Sequence, residues 1–107
     1  MRFEINNIVW NIIFVNSNDK KLYRSDGSKT VGVTDLNDKC IYLSNLISGT
    51  FLRRVLAHEL CHAFCMSYDV SMNIDQEEFL ANWISLYGAE LVYLLDDLMS
   101  VLLNKSA

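Results

Sequence analysis

The stretch "VLAHELCHAF", residues 55–64, contains both histidines of the chain, four residues apart, with a glutamate directly after the first. In a helix, His58 and His62 project from one face, one turn apart. Two imidazoles in that position can bind one zinc ion at roughly 2.0–2.1 Å each. Glu59 lies further round the helix, where it can accept a proton from a water bound to the metal. The stretch therefore predicts a metal-binding helix with a general base beside the ligands.

The alternative is an ordinary helix with two surface or capping histidines. From average residue frequencies, H-E-x-x-H arises by chance in a chain of this length on the order of a few times in a thousand. The motif also falls within a strongly helical pattern of apolar residues. Both observations favour the metal site, while they say less about a substrate.

A third ligand is needed, because catalytic zinc usually has three protein ligands and a water, and the chain has no further histidine. The next predicted helix opens with "IDQEEFLANWIS", residues 74–85. Glu78, Asn82, Ser85 and Ala89 form one stripe of small and polar residues, as a face packed closely on the metal helix requires. The pattern predicts Glu78 as the third ligand and Asn82 as a hydrogen-bond partner of a ligand histidine.

Three other residues remain open as third ligands, namely Glu77, Cys61 and Cys65. A carboxylate in the first turn of a helix is also favoured by the helix dipole alone. The chain has an odd number of cysteines, three, and no C-x-x-C pair, which predicts reduced thiols rather than a disulfide framework. Free cysteines of this kind are more often small apolar core residues than metal ligands.

The first half of the chain has the alternation of β-strands. In "RFEINNIVWNIIFV", residues 2–15, apolar and polar residues alternate and the phase shifts at Asn6 and Asn7. A two-residue turn explains the shift, because asparagine tolerates positive φ, and a bulge is the alternative. "TVGVTD" and "KCIYLS" predict two further strands, joined by a hairpin turn at residues 35–38.

The second half has helical periodicity. Thr50 is the predicted N-cap of the metal helix, and Asp75 is the predicted cap of a long helix that runs to about Leu103. Gly88 inside that helix suggests a kink or the close approach of another backbone. The apolar residues among 91–103 are predicted to complete the core, with a homodimer face as the alternative.

These elements predict an α+β fold, with an N-terminal antiparallel β-sheet followed by a metal-binding helix and a long C-terminal helix. The length of 107 residues allows one core, so residues 1–107 are predicted to form a single domain.

Charge and hydropathy exclude some partners. The net charge is -4 and the basic residues are scattered, which argues against direct binding of nucleic acid. No apolar run reaches the roughly 18 residues of a membrane span, and no cleavable signal peptide is visible. The prediction is therefore a cytoplasmic protein without a membrane partner.

The motif residues together resemble the zinc metallopeptidases of the gluzincin type. "EFLAN", residues 78–82, is similar to the E-x-x-A-N segment of the ImmA/IrrE family, which includes many small proteins of phages and mobile elements. The preceding residues 32–64 are similar to the strand-hairpin-strand that leads into the metal helix of such proteins. The resemblance covers roughly residues 31–90 and implies a minimal zincin-like fold.

The resemblance implies a zinc-dependent metallopeptidase with a protein or peptide substrate. In it, His58, His62 and Glu78 hold Zn²⁺, and Glu59 is the general base. It also implies that the strand at about residues 39–43 edges the cleft and pairs with an extended peptide.

Two points stay open beside this prediction. No residue is selected to stabilise the oxyanion, for which Tyr42, Tyr68 and Tyr87 are candidates. The alternative function is a non-catalytic interaction module that zinc stabilises. A closed structural site has no use for the glutamate of H-E-x-x-H, and this favours catalysis.

Overall fold

The protein is described by a computed structural model that covers residues 1–106, with side chains described through Asn104. It has a β-sheet followed by helices, so the α+β prediction is confirmed. The strands are β1 (Arg2–Ile5), β2 (Ile8–Val15), β3 (Gly32–Asp35) and β4 (Cys40–Ser44). The helices are α1 (Gly49–Ser67), α2 (Ile74–Trp83) and α3 (Ala89–Ser106), with a short 3-10 helix at Lys20–Leu22.

The sheet has four strands in the order β1-β2-β4-β3. The pairs β1–β2 and β3–β4 are antiparallel, whereas β2 and β4 are parallel, with Ile12 opposite Ile41. The predicted antiparallel sheet is therefore wrong for the central pair, and the sheet is mixed. A parallel pair needs a long crossover, and the segment between β2 and β4 supplies it and contains β3. All five residues of β4 are buried, as befits a central strand.

Both predicted hairpin turns are confirmed. Asn6 and Asn7 have φ values of 52° and 64°, and Ile5 pairs with Ile8 across this two-residue turn. Positive φ at both central residues matches the right-handed twist of the two strands, so asparagine is well suited here. In the second turn, the backbone N–H of Asp38 donates to the Asp35 carboxylate at 2.9 Å.

Helix α1 lies across the sheet and closes the main core. The fully buried side chains at its centre are Trp10, Ile41 and Leu43. The indole N–H of Trp10 donates to Ser67 Oγ at 2.8 Å and ties the end of α1 to β2. The helix begins at Gly49, after Ser48, so the predicted cap at Thr50 is wrong by two residues.

Helix α2 begins with a reciprocal cap. The Asn73 side chain accepts from the Gln76 N–H, and the Gln76 side chain accepts from the Asn73 N–H. The predicted cap at Asp75 is therefore wrong, because Asp75 already lies in the first turn.

The long C-terminal helix is interrupted but not broken. A π-helical turn at Ile84–Gly88 joins α2 to α3, so the irregularity expected from Gly88 is present. A Cβ at Gly88 would lie 3.1 Å from Ile84 Cγ2, within the same turn. No helix among residues 1–106 is long and apolar enough to cross a membrane.

The predicted place of α3 in the core is wrong. Leu91, Leu94 and Leu98 are each at least half exposed, because α3 extends beyond the sheet and α1. The described residues span 56 Å along their longest axis and about half of that along the other two, 30 and 27 Å.

A close contact between β3 and α1 generates the first testable prediction. A Cβ at Gly32 would lie 2.8 Å from Val55 Cγ1 and 3.2 Å from Glu59 Cγ. Gly32→Ala is therefore expected to lower the free energy of unfolding by about 1–3 kcal/mol, through overpacking. Urea denaturation measures this change.

The control for this prediction is the same substitution in a Val55→Ala background, where the nearest atom is gone. The cost of Gly32→Ala is expected to be smaller there. An equal cost in both backgrounds would show that the contact does not determine the stability at this position.

Candidate metal centre

Helix α1 brings the two histidines together. The Nε2 atoms of His58 and His62 lie 3.2 Å apart, and the two rings meet edge to face. His62 is buried and His58 is partly buried, so both face the interior of a cleft rather than open solvent. The structure thus places both predicted ligands with one nitrogen each directed at the same point.

Helix α2 adds the predicted third ligand. Glu78 Oε1 lies 2.9 Å from His62 Nε2, and Glu78 Oε2 lies 3.3 Å from His58 Nε2. One ligand atom from each of His58, His62 and Glu78 lies within 4.8 Å of the others. The three residues are therefore close enough to bind a metal ion, as the sequence predicted.

Both oxygens of Glu78 face the histidine pair. Oε1 lies 2.9 Å from His62 Nε2 and Oε2 lies 3.3 Å from His58 Nε2, so the two contacts use different donor atoms of the same carboxylate. Two imidazole nitrogens and a carboxylate are a donor set that suits zinc and other first-row divalent ions. The residues therefore fit a bound metal, while its identity stays a prediction.

Glu77 orients one of the ligands. His62 Nδ1 lies 3.0 Å from Glu77 Oε2, and His62 Nε2 lies 2.9 Å from Glu78 Oε1. A carboxylate behind a ligand histidine fixes its tautomer and its ring orientation. Glu77 is therefore assigned to orient His62 and not to serve as the third ligand.

The predicted role of Asn82 is wrong. Within the described part of the chain, Asn82 makes no hydrogen bond with either histidine, and its side chain lies at the edge of the cleft. Its backbone carbonyl accepts from Ser85 Oγ at 2.7 Å. Glu77 instead contacts His62 from the first turn of α2, five residues before Asn82.

Glu59 lies beside the ligands and is not one of them. It is buried, and Glu59 Oε2 lies 3.9 Å from His58 Nε2. Thr34 Oγ1 on β3 lies 2.8 Å from Glu59 Oε1 and 3.0 Å from the Glu59 carbonyl oxygen. The Thr34 hydroxyl therefore holds the carboxylate on the sheet side of the site. No signal in the sequence pointed to Thr34, since its partner is 25 residues away.

The ligands open onto a cleft of about 200 Å³ between β3, α1 and α2. Its strand side is formed by Gly32, Val33 and Thr34 of β3. Because β3 is the edge strand and β4 is central, the prediction that residues 39–43 edge the cleft is wrong. Of the side chains described along this cleft, Arg24 is the only lysine or arginine.

The cysteines lie behind the metal-binding face. Cys61 and Cys65 are buried and pack with Ala81 of α2. Burial raises the pKa of Cys61, and burial together with the neighbouring Cys61 and Glu77 raises the pKa of Cys65 to about 12. Neither thiol belongs to the group formed by His58, His62 and Glu78.

The three tyrosine candidates for the oxyanion role do not line the cleft. Tyr42 is buried and donates to Asp38 at 2.7 Å. Tyr68 stacks on Phe64, and Tyr87 packs against Trp83. None of them is positioned to contact a substrate at the histidines.

Comparisons with protein-family models, curated proteins and solved structures found no significant match to this chain. The resemblance to the ImmA/IrrE family consequently remains a prediction from the short motifs. Any function proposed for this chain rests on the geometry of the metal centre.

The second prediction concerns metal binding. Glu78→Ala is expected to abolish stoichiometric zinc binding, because it removes one of three ligands. Glu77→Ala is expected to weaken zinc binding by about 10–100-fold, because His62 loses its orienting partner. Isothermal titration calorimetry with zinc measures both effects.

Asp75→Ala is the matched control, since Asp75 is an exposed carboxylate in the same first turn of α2. It is expected to bind zinc as the wild type does. Equal zinc affinity in Glu78→Ala and Asp75→Ala would rule out the assigned ligand. Zinc should also raise the melting temperature of the wild type and leave that of Glu78→Ala unchanged.

Proposed function

We propose that the protein is a zinc-dependent metallopeptidase of the gluzincin kind, with His58, His62 and Glu78 as ligands. The observation that carries the proposal is a buried carboxylate, Glu59, within 3.9 Å of a converging His–His–Glu group at an open cleft. Zinc in such a site supplies an activated water and polarises a carbonyl group. A purely structural metal would need no carboxylate at that position.

Glu59 acts as the general base in this mechanism. It accepts the proton of the attacking water as the new C–O bond forms, and it donates that proton to the amine as the C–N bond breaks. Thr34 keeps the carboxylate in one orientation through its contact at 2.8 Å. Glu77, 3.0 Å from His62 Nδ1, holds the His62 ring with Nε2 towards Glu78.

The edge strand β3 suits recognition of an extended peptide. Its partner β4 occupies one side, and its other edge runs along the cleft beside Glu59. A peptide added to this edge as a further strand would pass the metal-binding residues, which is the general geometry of β-augmentation. Residues 32–35 thereby take the place that the sequence assigned to residues 39–43. Arg24 contributes the positive charge at the cleft wall.

The third prediction tests the base. Glu59→Gln is expected to bind zinc as the wild type does and to lose at least about 100-fold in peptide hydrolysis, because glutamine cannot accept the proton. The measurement is mass spectrometry of a peptide library incubated with zinc-loaded protein. Wild-type cleavage rates in Glu59→Gln would contradict the role of Glu59.

The same experiment distinguishes the metallopeptidase from the alternative function. A wild-type protein that binds one zinc and cleaves no peptide in the library would favour the non-catalytic, zinc-stabilised interaction module. In that case chelation should unfold the domain, since the metal would serve to clamp α1 onto α2.

The fourth prediction tests Thr34. Thr34→Val keeps the side-chain shape and removes the hydroxyl, so we expect kcat to fall about 10-fold while zinc affinity is unchanged. Thr34→Ser is the matched control, because it keeps the hydroxyl and should retain most of the activity. Equal kcat values for the valine and serine variants would show that the hydrogen bond to Glu59 has no role in catalysis.

A further inference from the structure

Helix α3 carries an apolar stripe along half of its circumference. Leu91, Leu94, Leu95, Leu98 and Val101 recur at the spacing of one helical face. Asp96 and Ser100 lie on the opposite side together with Tyr93, while Glu90 and Asp97 lie along one margin of the stripe. The helix is thus amphipathic in sequence, with the pattern of a helix that buries one side against a partner.

This stripe is uncovered in the described part of the chain. The five residues of the stripe are between 50 and 57% exposed. A lone helix of this length is marginal in water, and contiguous exposed apolar surface of this extent marks an interaction site.

The overall dimensions show that the chain exposes more surface than a compact domain of its mass. The radius of gyration is 16.2 Å, whereas a compact domain of this length has about 13 Å. The accessible surface is 7506 Å², whereas a compact 12.3 kDa monomer exposes about 6,100 Å². The difference of about 1,400 Å² leaves room for a standard interface, which buries about 800 Å² per partner.

We propose that α3 is a homodimer interface, in which the stripe of one copy packs on the same stripe of a second copy. A two-fold axis allows one self-complementary patch to satisfy both chains. The opposite side of each helix, with Asp96 and Ser100, then remains in water. This proposal is independent of the catalytic proposal, because α3 lies outside the cleft.

An antiparallel arrangement keeps the two bodies furthest apart. Packed helices lie about 8–10 Å apart, whereas the body is about 30 Å wide. Parallel α3 helices would place both bodies at the same end of the helix pair. Antiparallel helices place the bodies at opposite ends, with a two-fold axis near residues 95–98, and leave both metal sites accessible.

Sedimentation equilibrium of the full chain at micromolar concentration tests this proposal. The expected mass is twice the monomer mass of 12.3 kDa. Leu98→Asp is expected to give a monomer, because it places a charge in the centre of the interface. Ser100→Asp on the opposite side is the matched control and is expected to remain dimeric.

Fluorescence of the buried Trp10 and far-ultraviolet circular dichroism verify that both variants are folded. A wild-type mass of 12.3 kDa with full helical content would overturn the proposal. A dimer that persists in Leu98→Asp would overturn it as well, because the contact would then use another surface. A monomeric wild type that binds phosphatidylcholine vesicles would assign the stripe to lipid instead.

Discussion

The convergence of two imidazole nitrogens and one carboxylate is the constraint on which the rest of the site depends. His58 Nε2 and His62 Nε2 lie 3.2 Å apart, with Glu78 against both. Two nitrogen lone pairs at that distance repel each other unless a cation or a proton lies between them. A divalent ion would satisfy all three groups at once and would add a link between α1 and α2, which also pack through Cys61, Cys65 and Ala81 with Leu80 and Ile84 beside them.

The supporting residues come from both sides of α1. On the helix side, Glu77 binds His62 Nδ1, and on the sheet side, Thr34 binds Glu59. The absence of a side chain at Gly32 lets β3 approach α1 closely enough for that second contact. Glu77 on α2 thus orients His62, whereas Thr34 on β3 orients Glu59. Either contact can be removed by substitution while the other contact is kept.

The proposed metal site and the proposed dimer interface occupy separate regions of the molecule. The cleft lies between β3, α1 and α2, whereas the apolar stripe lies on α3 beyond the π-helical turn. This turn widens the helix at Ile84–Gly88, at the point where α2 leaves α1 and α3 begins. An interface on α3 would therefore connect two copies without covering either cleft.

The sequence by itself determined the features that depend on spacing within one element. The i, i+4 histidines and the Asn6–Asn7 turn follow from residue type and local periodicity, and the structure has both. Glu78 was predicted from a stripe with Asn82 and Ala89 facing α1, but the residue of α2 that is buried against α1 is Ala81, so the closeness of Glu78 to the histidines comes from the packing of the two helices. Only the tertiary structure decided which strand edges the cleft, that Glu77 rather than Asn82 orients His62, and that Thr34 holds Glu59. Each of these depends on which elements are neighbours in space. The wrong prediction that α3 completes the core has the same reason. An apolar helical stripe has the same sequence pattern whether it packs on the core of its own chain or on a surface outside the chain.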